Sequence, residues 1–358
     1  MLPFQDPSRR CPKIEEWPEA DRTAWERATR KGHVLDDPGP ACHWSPATRH
    51  KNRRGYGRWL TFLLDHDLVT PGQHPADRVT KEAVRQYLTL LEDQGLAPYT
   101  LVARIDELRA VIASMAPDRD WRWLTELVTR LRRRARPVTN KRSRLAPSKD
   151  LFGLGLALME EAEATEGPNP VLRAVRFRDG LMIALLAARP LRISNLVSIR
   201  LGQHLIRQGA GWALVFEPHE MKNRRPFEIP FPRELETALD TYLQTWRPIL
   251  LQDHEMDHLW ITQYGHPMNS KAAYARVTNV TLRALGKSLN PHLFRDCAAT
   301  SVAIEDPEHV RIIAAILSHA SHATAERYYN QAQSLEAGRV YQKLIAARRR
   351  EMRTSRRR

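Results

Sequence analysis

Six side chains in the C-terminal half of this 358-residue chain are of types that act on phosphate: Arg192, Lys222, His292, Arg295, His319 and Tyr328. Two arginines supply planar donor forks that match the non-bridging oxygens of a phosphate. A tyrosine phenol, with an ordinary pKa near 10, is a poor nucleophile at neutral pH and needs cations and a base beside it. Here the phenol of Tyr328 follows His319 by nine residues, and a His-x-x-Arg pair, His292 and Arg295, lies upstream. Taken singly, each has an ordinary use: His-x-x-Arg as a surface pair or helix cap, Tyr328 and Tyr329 as packing, His322 as a cap. Taken together they suit one task, attack by a tyrosine on a phosphodiester, with fixed cations stabilising the charge that develops.

The segments that must position these groups read as mostly helical. Ser45-Pro46 gives an N-cap and a first-turn proline ahead of Tyr56, Trp59, Leu60, Leu63 and Leu64 at helical spacing. Thr80 caps a second helix carrying Val84, Leu88 and Leu91 and closed by Gly95; a third holds Leu101, Ile105, Leu108 and Ile112; a fourth, from about Asp120, holds Trp121, Leu124, Leu127, Val128 and Leu131. Short connections between four amphipathic helices predict a bundle. Between Arg130 and Lys149 stand nine Lys or Arg and no Asp or Glu, with Pro137 and Pro147, which reads as a basic linker. Beyond it come a helix capped by Ser148, an apolar helix over about 175–188, and a hairpin of 212–216 with 227–231. A helix over about 235–246, a short strand at 258–262, helices near 270–285 and 292–304, and an amphipathic segment with Val340, Tyr341, Leu344 and Ile345 follow. The fold class predicted is mainly α with a small β-sheet (α+β): a four-helix bundle, then a mixed helical domain with a β-hairpin. The boundaries read as 1–44 arm or cap, 45–133 bundle, 134–149 linker, 150–345 second domain, and 346–358 an arginine-rich tail.

Composition narrows the partner. With 42% hydrophobic and 27% charged residues the chain is globular in type. A formal net charge of +15 and a pI near 10.1 point to a polyanion. No apolar run approaches the roughly 20 residues of a spanning helix, and the N-terminus lacks a signal-peptide pattern, so nucleic acid is expected rather than membrane. Candidate phosphate contacts are Arg49, Lys51, Arg53, Arg54 and Arg58 on the first bundle helix, Arg134, Arg136, Lys141, Arg142 and Arg144 in the linker, and Arg224 and Arg225 beside Lys222. Three scattered cysteines, Cys11, Cys42 and Cys297, suggest a reducing compartment. Cys11, His33, Cys42 and His43 fit no compact zinc spacing, so no metal site is expected.

The second domain resembles the tyrosine recombinase (phage integrase) family. Leu191-Arg192-Ile-Ser-Asn-Leu196 looks like its first-arginine box, and Lys222 lies eight residues before Pro230, where the family keeps a hairpin lysine. Pro291-His292-Leu-Phe-Arg295 resembles its His-x-x-Arg box, Leu317-Ser318-His319 its Leu-Gly-His box, and Tyr328 sits at the nucleophile's place. The bundle is similar to the family's core-binding domain, so the resemblance runs from about 45 to 345. It departs at Asn195, where the family commonly has an acidic residue, and at Ser318 in place of glycine.

This resemblance implies a site-specific recombinase that cleaves and rejoins double-stranded DNA through a 3′-phosphotyrosyl bond, without metal or nucleotide cofactor. Tyr328 would be the nucleophile, Lys222 the general acid, His292 a base or phosphate hydrogen-bond partner, and His319, Arg192 and Arg295 phosphate ligands. It further implies a homotetramer on paired DNA sites, possible accessory or sister recombinases, and a cytoplasmic, nucleoid-associated protein. Two other readings differ in class: a type IB topoisomerase-like enzyme, and a DNA-binding accessory protein without catalysis.

Overall fold

Two of the bundle helices begin where a side chain satisfies one of their first N–H groups. In the computed structural model, which describes residues 11–33, 37–138, 142–165, 167, 169–305, 342 and 345, helix α2 (Pro46–Asp65) starts at Ser45. The Ser45 hydroxyl accepts from the Thr48 N–H at 3.2 Å. The chain divides into two compact units, Met1–Asn140 and Lys141–Arg358.

In the first unit, helix α1 (Glu19–Thr29) precedes α2, and α3 (Lys81–Asp93), α4 (Pro98–Met115) and α5 (Arg122–Arg134) follow it. Thr80 Oγ1 caps α3, and Gly95, at φ +67°, turns the chain after it. Trp59, Leu60, Tyr87, Ile105, Leu108, Ile112 and Leu124 form one core with Trp17 and Trp25. The stretch read as an arm or cap therefore adds an aromatic helix to the bundle. Its lock is polar: the Tyr56 hydroxyl donates to Asp21 Oδ1 at 2.6 Å and Arg78 Nη2 to Asp21 Oδ2 at 2.5 Å, all three buried. Burial, and then the Asp21 carboxylate, push the Tyr56 phenol well above its usual pKa.

The second unit is built on α6 (Ser148–Ala164) against α7 (Pro170–Ala188). Ser148 is the first residue of α6 and makes no cap; the position before the helix is Pro147, which leaves no side chain to bond the first N–H groups. The Ser148 N–H is instead taken by Ser301 Oγ at 2.9 Å. The two helices meet at Gly155 and Gly180, where a Cβ on either would lie 2.6 Å from the other's carbonyl oxygen. Leu181, Met182, Ile183, Leu185 and Leu186 are fully buried, so the C-terminal half of α7 is apolar all round because it is enclosed all round. Its one acid, Asp179, is buried between Arg178 and Arg276, with Arg276 Nε at 2.7 Å.

After α7 come the short helix α8 (Ile193–Val197) and an antiparallel sheet of β1 (Leu205–Gln208), β2 (Gly211–Phe216) and β3 (Phe227–Pro230), ordered β1-β2-β3. The register pairs Leu205 with Leu214 and Leu214 with Ile229. Strand β1 escaped the sequence reading because Leu205–Gln208 is too short and mixed to alternate. The helical stretch past β3 contains α9 (Glu236–Thr241), a π turn at Tyr242–Trp246 and α10 (Arg247–Leu251). The strand expected at 258–262 does not form: these residues make only isolated bridges, Arg200 to His258 and Ile261 to Pro267. Leu259, Trp260 and Ile261 are fully buried, so the apolar signal there reports enclosure rather than sheet.

Helix α11 (Ser270–Leu285) is capped by Asn269 and α12 (Pro291–Glu305) by Asn290, whose Oδ1 accepts from the Leu293 N–H at 3.1 Å. The chain just before α6 is strapped to these helices. Arg144 Nη2 donates to Ser288 O at 2.6 Å, Lys287 Nζ to Leu145 O at 3.0 Å, and the Ala146 N–H to Cys297 Sγ at 3.5 Å. Among the described residues no helix is long and apolar enough to cross a membrane.

Candidate active site

Arg192 stands at the first position of the turn into α8, in extended backbone (φ −67°, ψ 143°), with its carbonyl accepting from the Leu196 N–H at 2.9 Å. Its guanidinium is half-buried, and burial lowers its pKa from the ordinary arginine value. It stays charged at any physiological pH, so partial desolvation strengthens its field without costing the charge.

Arg295 lies one turn into α12 and is 6% exposed. Its Nη1 donates to Pro190 O at 2.6 Å. That bond ties α12 to the 189–192 turn, two residues from Arg192, although 105 residues separate its partners in sequence. His292, one helical turn before Arg295, is exposed at the capped N-terminus of α12, so the pair shares one face.

Lys222 is exposed in the 217–226 connection between β2 and β3. Three contacts fix that connection. Asn195 in α8, 4% exposed, donates from Nδ2 to Glu220 O at 3.3 Å and to Met221 Sδ at 3.4 Å. The Glu220 carboxylate accepts from the Glu217 N–H at 2.9 Å and meets His204 Nε2 at 2.8 Å. The Met221 side chain is buried in the core. Burial alone would raise the Glu220 carboxyl, but the bonds from His204 and Glu217 outweigh it and hold it below the ordinary carboxylate range. Thus Arg295 bonds two residues from Arg192, and Asn195 bonds the two residues just ahead of Lys222, so the 189–192 turn is tied both to α12 and to the 217–226 connection within the second unit. His319 and Tyr328 lie outside the described residues, as does Ser318.

The structure sorts the candidate phosphate contacts. Lys51, Arg54, Arg134, Arg136, Arg224 and Arg225 are exposed; Arg53 and Arg58 are half-buried. Arg58 donates to Arg54 O at 3.2 Å, and burial, then the nearby Arg104, lower its guanidinium. Arg49 spends one nitrogen on Thr29 O, and Arg144 is the strap to Ser288. Lys141 and the Arg142 side chain fall outside the described residues. The sequence reading missed His204 and Glu220; the only available signal was an acid two residues before Lys222.

The profile of the phage integrase family matches residues 157–334, a span that holds all six candidate residues, described and undescribed. Tyrosine recombinase XerD of Staphylococcus saprophyticus is 27% identical over 180 residues, 50% of this chain and 58% of the relative. XerD of Halalkalibacterium halodurans is 21% identical over 280 residues, 77% of this chain and 85% of the relative. The chain thus spans little more than half the length of the first relative and most of the second. Among solved structures, the XerH site-specific recombinase bound to a palindromic difH substrate superposes with TM-score 0.54 at 15% identity, covering 81% of this chain and 80% of that one. The Tn1549 transposon integrase in complex with transposon right end DNA gives 0.51 at 17% identity, covering 84% and 95%. At these identities the structural likeness speaks for the fold.

Proposed function

The chain belongs to the phage integrase (tyrosine recombinase) family, and on that premise we propose that it is a site-specific DNA recombinase whose nucleophile is Tyr328. The phenol oxygen attacks phosphorus and the bond from phosphorus to the 5′-oxygen breaks, leaving a 3′-phosphotyrosyl enzyme and a free 5′-hydroxyl. His292 takes the phenol proton or bonds the phosphate, and Lys222 protonates the departing 5′-oxygen. Arg192, Arg295 and His319 bind the non-bridging oxygens as charge accumulates on them. The covalent bond conserves the energy of the broken one, so rejoining reverses the same steps without a nucleotide. The exposed cations Lys51, Arg54, Arg224 and Arg225 contact the DNA backbone, and strand exchange takes place in a homotetramer on paired sites.

What supports this assignment most is the 2.6 Å bond from Arg295 to Pro190 O, since it joins the His-x-x-Arg helix to the turn of Arg192. The test is covalent trapping. The protein is incubated with nicked duplexes from a randomised library, and an adduct resistant to detergent is sought and mapped by mass spectrometry. An adduct on Tyr328, lost in Tyr328→Phe, is the expected result. DNA binding without any adduct would leave an accessory binder, and relaxation of supercoils without sequence preference would leave a topoisomerase.

A further inference from the structure

The loop carrying Lys222 is held by a polar latch whose parts lie on three separate elements. Glu220 is the centre. Its Oε2 accepts from the Glu217 N–H and its Oε1 meets His204 Nε2. The His204 ring is fixed in turn, because Nδ1 accepts from the Arg200 N–H at 3.1 Å, which leaves Nε2 as the donor to Glu220. The ring is 3% exposed and stacks on Phe216 at 5.2 Å, at the end of β2. From the other side Asn195, three residues past Arg192, reaches the loop backbone. Glu220 O and Met221 Sδ are both acceptors, so the amide must present its nitrogen to them.

We propose that Asn195, His204 and Glu220 are positioning residues that hold Lys222 in place for proton transfer to the leaving 5′-oxygen. The proposal rests on the recombinase reading and deepens it. Asn195 is then no vestige of a lost carboxylate. An aspartate at this position would set an acceptor against the Glu220 carbonyl and the Met221 sulfur, so the family's commoner acidic residue would be the worse one in this chain. A buried polar network of this kind keeps its geometry only when every member is satisfied, and a misplacement of about 1 Å in a reacting group costs on the order of 100-fold in rate.

Two measurements on the full chain test this. In the first, native trypsin digestion follows cutting after Lys222 and Arg224. Glu220→Ala, His204→Ala and Asn195→Asp should each speed that cutting at least about tenfold while thermal unfolding of the core keeps a single transition. In the second, adduct formation is compared on a duplex that the wild-type chain attacks and on the same duplex with sulfur replacing the scissile 5′-oxygen. A thiolate leaves without a proton, so the sulfur substrate bypasses the general acid. The three variants should fall about 100-fold on the oxygen duplex and recover to within a few-fold of wild type on the sulfur one, as Lys222→Ala should.

Unchanged cutting would overturn the latch. Faster cutting with equal losses on both duplexes would overturn its action through Lys222. Activity in Asn195→Asp at or above wild type would overturn the role given to Asn195. Absence of any wild-type adduct would sink the recombinase reading and the role of Lys222 with it, and the digestion would still decide whether the latch orders the loop.

Discussion

Placing a methyl group at position 180 should strain the second unit and disturb its chemistry together. In Gly180→Ala the new carbon would lie 2.6 Å from Gly155 O, 2.9 Å from Met159 Cγ and 3.0 Å from Leu158 Cβ. Ordinary contact begins near 3.4 Å, so α6 and α7 must part by about 0.8 Å in an interior that yields little. Overpacking of this kind costs about 1–3 kcal/mol, or a fall in Tm of roughly 2–12 °C for a unit of this size. Because α7 runs directly into the Arg189–Arg192 turn, part of that displacement reaches Arg192, and catalytic groups tolerate about 0.5 Å. Adduct formation should therefore drop on the order of 10- to 100-fold. Gly153→Ala on the partner helix α6 is the control: a Cβ there meets nothing within 4 Å, and the change should stabilise by up to about 1 kcal/mol through helix propensity. Thermal unfolding by circular dichroism and the rate of covalent trapping are the assays. A Gly180→Ala protein that melts with wild type would refute the packing argument; one that melts early yet forms adduct at the wild-type rate would refute its transmission to Arg192.

Arg295→Lys keeps the charge but loses the fork that holds Pro190 O; adduct formation should fall about 100- to 1,000-fold with binding retained, measured by trapping against gel shift. Replacing Lys51 and Arg54 together by alanine should reduce the slope of log affinity against log salt by about 2, and an unchanged slope would remove both from the DNA interface. The Glu220 carboxyl is held below its ordinary value of 4.5. Its contribution to loop order is therefore present above about pH 4.5 and is lost as pH falls through the lowered pKa. Exchange of the Glu217 amide, corrected for intrinsic rate, should rise on acidification in the wild type, and Glu220→Gln should remove that dependence.

Much of the architecture was legible because it rests on local rules. Ser45, Thr80 and the helical spacing around Tyr56 and Ile105 mark out bundle helices from neighbours in sequence alone. The hairpin of β2 and β3 was legible for the same reason, since Trp212–Phe216 is a short apolar run and Phe227–Pro230 alternates. Ser148 failed as a cap because a serine can also open a helix whose N–H groups are satisfied from elsewhere, here by Ser301. The run at 258–262 failed because burial and strand pairing leave the same apolar mark. In the site, residue types could name Arg192, Lys222, His292 and Arg295. The bonds that tie their segments together join Arg295 to Pro190 and Asn195 to Glu220, and such long-range partners have no local signature.

The strap ahead of α6 has a practical bearing on where the chain can be cut. Arg144, Leu145 and Ala146 bond to Ser288, Lys287 and Cys297, and the Ser148 N–H to Ser301. A fragment begun at Lys149, where the basic run ends in the sequence, would forfeit all four bonds, each worth about 0.5–1.5 kcal/mol. It would also bare the flank of the helix bearing His292 and Arg295. An isolated second unit therefore begins no later than Arg144, and the segment just ahead of α6 is a brace for that unit.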